Sequence, residues 1–159
     1  MVAINTYRSF WQYMASAVPG INRFFMVHEE SDLASVIREI EEGSVILFAV
    51  IPASDIEAVS SDDYEEVDSC FVFVVKKNDR GALTQEEFIT ELHNTQQIMA
   101  SIKHKLIELS GDREHLTPYS HLLHGLAING MHTEAEYNLL GCDGWGLSFR
   151  LKTKGTNNY

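Results

Sequence analysis

The sequence predicts an α+β fold: a small, mainly antiparallel sheet of about four strands, packed by one long helix and preceded by two shorter helices. Three observations predict it. From Thr84 to Leu109, apolar residues recur in alternating steps of four and three, the spacing of one helix face. Two runs, Ser44–Ile51 and Cys70–Val75, are continuously apolar and rich in β-branched residues, as strands buried on both faces are. Trp145, Leu147, Phe149 and Leu151 alternate with Gly146, Ser148, Arg150 and Lys152, a strand period of two.

The first helix is expected over Ile4–Ala17, where Tyr7, Phe10, Trp11 and Met14 form an aromatic stripe and Pro19-Gly20 ends the run. Such a stripe near a terminus is expected to cover the domain's own core. The second helix has Ser31-Asp32 as its start signal, with Leu33, Val36, Ile37 and Ile40 on one face and Gly43 beyond its end. The strand Ser44–Ile51 follows directly and stops at Pro52. Ala53–Glu66 is polar and acidic without a convincing period, so it is expected to be a long loop. The strand Cys70–Val75 should pair antiparallel with Ser44–Ile51. The long helix opens on Thr84 and Glu87, the spacing of a capping box, and closes at Ser110-Gly111. Two last strands are expected at Leu122–Ile128 and Trp145–Leu151, with turn residues over Asn138–Gly144. One domain, residues 1–152, then carries a frayed polar tail, residues 153–159.

Composition bounds what such a chain does. At 159 residues, 45% hydrophobic and 22% charged, it is long enough to bury a core without staples. Two cysteines are too few for a disulfide framework. The first residues lack the pattern of a signal peptide, and the longest apolar run, Val45–Pro52, is far short of the ~20 residues that cross a bilayer. The protein is expected to stay in the compartment where it is made, off the membrane. Of the net charge of −11, thirteen acidic residues against one basic residue lie between Glu29 and Asp68. An acidic chain repels a phosphate backbone, which argues against nucleic-acid recognition.

The reactive residue types do not assemble into a known catalytic or metal-binding pattern. His115, His121 and His124 lie close in sequence but lack the paired Cys/His spacing of a structural zinc site, so no metal is expected. Cys142 stands beside Asp143, which raises a thiol pKa, and Cys70 begins an apolar strand; neither reads as an activated nucleophile. Gly141, Gly144 and Gly146 precede a strand rather than a phosphate-holding helix N-terminus, and a hairpin or bulge accounts for them. The acidic pairs Asp62/Asp63 and Glu65/Glu66 read as solvated charges, since catalytic acids need a desolvated pocket. No catalytic residue, cofactor or metal site is assigned, and activity as an enzyme is not expected.

One resemblance is specific enough to name. The expected order of helix, helix, strand, acidic loop, strand, long helix and two strands resembles that of tail-terminator and tail-completion (head–tail joining) proteins of tailed phages and related contractile particles. The opening Asn5-Thr6-Tyr7-Arg8-Ser9-Phe10 and the closing Cys142-Asp143-Gly144-Trp145-Gly146-Leu147-Ser148-Phe149-Arg150-Leu151 are similar to the first helix and last strand of such proteins from phages of Bacteroidetes hosts. The histidine-bearing stretch His115–His124 departs from that pattern. The resemblance implies a virion protein assembled in the host cytoplasm. It would form a ring, sixfold by analogy, between tail-tube protein and head-side connector protein, without a cofactor. Asp62, Asp63, Glu65 and Glu66 on one side, and Arg150, Lys152 and Lys154 on the other, are the candidate subunit contacts, since surfaces of opposite sign can join copies head to tail. The alternatives from the residues alone are a small acidic adaptor or inhibitor that captures a basic partner, and a metal hydrolase using His115, His121 and His124.

Overall fold

The structure is a computed structural model and describes residues 1–28, 30–60, 63–112, 114 and 117–154. Its elements run α1 (Ile4–Ala17), β1 (Arg23–Val27), α2 (Glu30–Glu39), β2 (Val45–Val50), β3 (Ala53–Ser60), β4 (Asp63–Lys77), α3 (Gln85–Ser110), α4 (Ser120–Leu123), β5 (His132–Leu139) and β6 (Cys142–Lys154). The six strands form one sheet in the order β1-β2-β4-β6-β5, with β3 also paired to β4. Among the described residues only β1 and β2 pair in parallel; β4 runs antiparallel to β2, β3 and β6, and β5 antiparallel to β6. The fold is α+β, mostly antiparallel, with a long helix across the sheet, as the periodicities predict.

The helix signals act where the sequence places them. Glu87 N–H donates to the Thr84 hydroxyl (3.3 Å) while Thr84 N–H donates to the Glu87 carboxylate (2.7 Å), so the capping box satisfies two N–H groups that the first turn of α3 leaves open. On one side of the sheet, Met99, Ile102 and Leu106 of α3 and Tyr7, Phe10, Trp11 and Met14 of α1 bury against Leu47, Val72, Val74, Leu147, Phe149 and Leu151. Each fully buried aromatic or aliphatic side chain there contributes roughly 1.5–3 kcal/mol by removal from water. Trp145 pins α3 to the sheet: its indole N–H donates to Leu92 O at 2.9 Å. On the other side, Leu33 and Ile37 of α2, with Ile40 just after it, cover Ile46, Phe48 and Val75. Apolar cover on both faces explains why β2 reads as an unbroken apolar run. Lys77 then reaches back to the C-terminal end of α2, its ammonium donating to Ile37 O (2.8 Å) and Ile40 O (2.5 Å), where unsatisfied carbonyls favour a cation.

Several expectations need correction. The sheet has six strands among the described residues, where about four are expected from the sequence. Ala53–Ser60 is β3 and Asp63–Glu66 opens β4, where a loop was expected: Ala53 through Ala58 pair with Ser69 through Tyr64, and Ser60 with Asp63. No apolar alternation marks this segment because the outer half of the β3–β4 pair is solvated on both faces. β1 was missed because it is short and lies between a proline-glycine turn and α2. Leu122–Ile128 is not a strand. It holds the end of α4 and a single bridge, Leu126 to Leu151, and the true neighbour of β6 is β5. The turn over Asn138–Gly144 contracts to its first half: Asn138, Leu140 and Gly141 have positive φ, while Cys142, Asp143 and Gly144 already pair in β6. Gly144 is there for closeness: a Cβ on it would stand 2.0 Å from Val74 O. Thr153 and Lys154, expected in the tail, extend β6 against Glu66 and Glu65. α2 begins at Glu30, one residue before the expected start signal at Ser31-Asp32.

Candidate subunit-contact surface

β2 and β3 succeed one another along the same flank of β4, divided at Ile51-Pro52. Proline has no N–H to give a ladder, so it belongs where pairing is interrupted. Beyond that point β3, the first half of β4 and the end of β6 continue as a three-stranded arm. At its outer end Ile56, Glu57, Ala58 and Thr153 are exposed, so side chains on both faces of the arm meet solvent.

The arm carries the charges that the sequence singles out. Asp62 lies outside the described residues, and Asp63 opens β4 opposite Ser60. Glu65 faces Lys154 and Glu66 faces Thr153 on β6, with Arg150 and Lys152 further along the same strand. The Lys152 ammonium lies 3.2 Å from Glu65 and 3.3 Å from Glu57, and Arg150 3.9 Å from Glu57. These hydrogen bonds to Glu65 and Glu57 hold the Lys152 pKa above its ordinary value. The structure therefore joins acids and bases expected on two separate surfaces into one ladder across β3, β4 and β6. Such exposed pairs contribute little to stability, but they keep this face of the arm mixed in sign.

Asp68 is a buried acid that the sequence analysis did not single out. It is 1% exposed and its carboxylate accepts the Val2 N–H at 2.9 Å, tying the chain ahead of α1 to β4. Beside it lie the buried Cys70 thiol, the Tyr7 hydroxyl and the Trp11 indole N–H; among the described residues neither Tyr7 nor Trp11 has a hydrogen bond of normal geometry there. Burial pushes the Cys70 thiol up to about 12 and raises the Tyr7 phenol well above its ordinary value. A buried group keeps its proton because the charged form loses hydration. Burial likewise pushes Cys142 up to about 11, with Asp143 adding to the rise and Lys77 opposing it. Both thiols are neutral at neutral pH and are not the nucleophilic species. The only hint in the sequence was an acid two residues before an apolar strand.

Asp143 itself is structural. It pairs with Arg80 at 2.9 Å and accepts the Asn138 N–H at 2.8 Å, closing the β5–β6 turn. His121 on α4 and His124 just after it are exposed, with ring centroids 5.3 Å apart; His115 lies outside the described residues. No group of three metal-binding side chains converges among the described residues. No protein-family model and no curated protein sequence matches the chain. No helix among the described residues is long and apolar enough to cross a membrane.

Three concavities line the outer edge of β1 instead. One of about 430 Å³ lies against α1 (Ile4, Arg8, Gln12, Phe24, Met26), one of about 280 Å³ against α2 (Arg23, Phe25, Val36, Ile40), and a third at the α1–β1 turn. Among the described residues β1 pairs with β2 alone and β3 with β4 alone, so each has one edge whose N–H and C=O groups have no strand partner there.

Proposed function

We propose that the chain is a structural assembly subunit of a phage-like particle, acting by binding protein subunits rather than by catalysis. In this reading it forms a sixfold ring with its own copies at the end of the tail tube. There it contacts the tail-tube protein on one side and the head-side connector on the other. What supports the reading is the arm of β3, β4 and β6, with charged side chains and one exposed isoleucine beyond the helix-covered core. The aromatic face of α1 and the aliphatic face of α3 are buried in the domain's own core, so binding falls to sheet edges and the arm. A subunit of this kind should self-associate with concentration and more weakly with salt, since exposed charges are screened. Negative-stain imaging of the purified chain, alone and mixed with a tail-tube protein, tests it. Rings capping tube ends are the expected result; a strict monomer at high micromolar concentration in low salt, with no binding to tubes, refutes it.

The acidic surface favours one second reading. Asp32, Glu39, Glu41 and Glu42 on or just after α2 add to Asp55, Glu57, Glu65 and Glu66 on the arm, which suits an adaptor that captures a basic protein. A one-to-one complex with such a protein, without rings, would decide for it.

A further inference from the structure

The free edges of β1 and β3 lie on the same flank of the sheet and together form a step. β1 is added outside β2, whereas β3, which continues the line of β2 past Pro52, has no strand outside it among the described residues. β1 is parallel to β2, and both β2 and β3 are antiparallel to β4, so β1 and β3 run in the same direction. A second copy turned by half a revolution about an axis normal to the sheet presents the same step reversed. Its β1 then enters the recess beside the first copy's β3, and its β3 comes alongside the first copy's β1. Both contacts are antiparallel, and the helix-bearing faces stay on matching sides. We propose that this stepped edge is a self-complementary docking surface whose occupant is a second copy of this chain, joined by β1–β3 pairing in both directions.

The side chains agree with the backbone geometry. Ile56 of β3 shares the α1 side of the sheet, since its partner Glu66 alternates with Asp68 and the core residues Cys70 and Val72. It is 68% exposed, an unusual position for an isoleucine in a charged strand. The α1 side of β1 offers Phe24 and Met26, half-buried, with the exposed Ile4 beside them around the larger concavity. Reversing one copy brings Ile56 onto that apolar ground. On the opposite face Arg23 of β1 and Asp55 of β3 are both exposed, and neither forms an ion pair among the described residues. The same reversal brings these opposite charges onto neighbouring strands, where cross-strand pairs of opposite sign are favourable. An isologous contact uses each complement twice. The pairing stands without the tail-assembly reading and covers an edge that would otherwise be open to indiscriminate strand addition.

Sedimentation equilibrium of the full chain tests it, with circular dichroism checking that each variant folds. A species of twice the 18.0 kDa chain mass should grow with concentration, and amide exchange over residues 23–27 and 53–60 should slow in step. Ile56→Lys should abolish the dimer. Arg23→Glu and Asp55→Arg should each weaken it by about tenfold or more, an interaction change of about 1.4 kcal/mol, and the double variant should recover most of the loss. A folded monomer at every concentration overturns the proposal. So does self-association indifferent to Ile56→Lys, or a double variant no better than either single one. A sixfold ring insensitive to Ile56→Lys overturns this pairing while leaving tail assembly standing. A dimer lost on Ile56→Lys upholds the pairing even where no ring forms.

Discussion

Replacing Gly144 with alanine discriminates between two accounts of the same residue. In a solvent-facing turn with negative φ, alanine costs little and even stabilises by narrowing the unfolded ensemble. In the structure Gly144 sits in the middle of the sheet, opposite Val75, and a Cβ would stand 2.0 Å from Val74 O and 2.7 Å from Val75 Cα. A carbon–oxygen contact needs roughly 3.3 Å, so the two backbones must part by on the order of 1 Å in a close-packed layer. The obstacle is backbone on a strand held from both sides, β2 on one and β6 on the other, and it cannot rotate away. We expect a loss of about 3 kcal/mol, at the upper end of overpacking costs, and a fall in Tm of about 6–12 °C for a chain of this size. Two neighbours serve as controls. At Gly146 the nearest atoms are the Glu136 carboxylate and the Phe73 ring, at 3.0–3.2 Å; these are side chains that can shift, so Gly146→Ala should cost less than half as much. At Gly130 nothing lies within 4 Å, and Gly130→Ala should leave the melt unchanged. Thermal unfolding followed by circular dichroism ranks the three. Equal melting temperatures for Gly144→Ala and the wild type would refute the β4–β6 register and the reasoning built on it.

Lys77→Met leaves the Ile37 and Ile40 carbonyls without their cation, and should cost about 1–2 kcal/mol while speeding amide exchange in α2 more than in α3; uniform exchange would count against the cap. Thr84→Ala removes the cap of α3 and should cost about 1 kcal/mol in urea unfolding, with serine restoring most of it. The thiols give a pH dependence whose sign is fixed: the folded pKa values of Cys70 and Cys142 are raised to about 12 and about 11 from 9.0. Their contribution is complete below pH 9 and is lost as the pH climbs through the folded values, because the unfolded thiols ionise first. Stability should therefore be flat from pH 7 to 9 and fall above it, less steeply in Cys142→Ala; a rise in stability above pH 9 would contradict the burial. Both thiols should also resist an aromatic disulfide reagent at pH 8 until the chain is unfolded.

Periodicity carried α1, α2 and α3 because each buries one stripe, and a stripe is a local pattern: Tyr7, Phe10, Trp11 and Met14, or Met99, Ile102 and Leu106, declare their face within a few turns. Thr84 with Glu87 declared an end for the same reason, since a cap is a contact over three residues. β2 and the second half of β4 were legible as apolar runs, and β6 as an alternation. The arm was not, because strands solvated on both faces have no burial to write into their sequence; Ala53–Ser60 becomes a strand only because β4 lies beside it. The charges show the same division. That residues 29–68 are acidic could be read off directly, yet that Glu57 and Glu65 meet Lys152 depends on a register between segments more than eighty residues apart. The burial of Asp68 and the closeness of Gly144 to Val74 O belong to that register too. The sequence by itself determined the class of fold, its main helices and the neutral thiols. The tertiary structure alone decided which strand edges stay open, because an edge is defined by the neighbour a strand lacks, and no strand's own residues encode that.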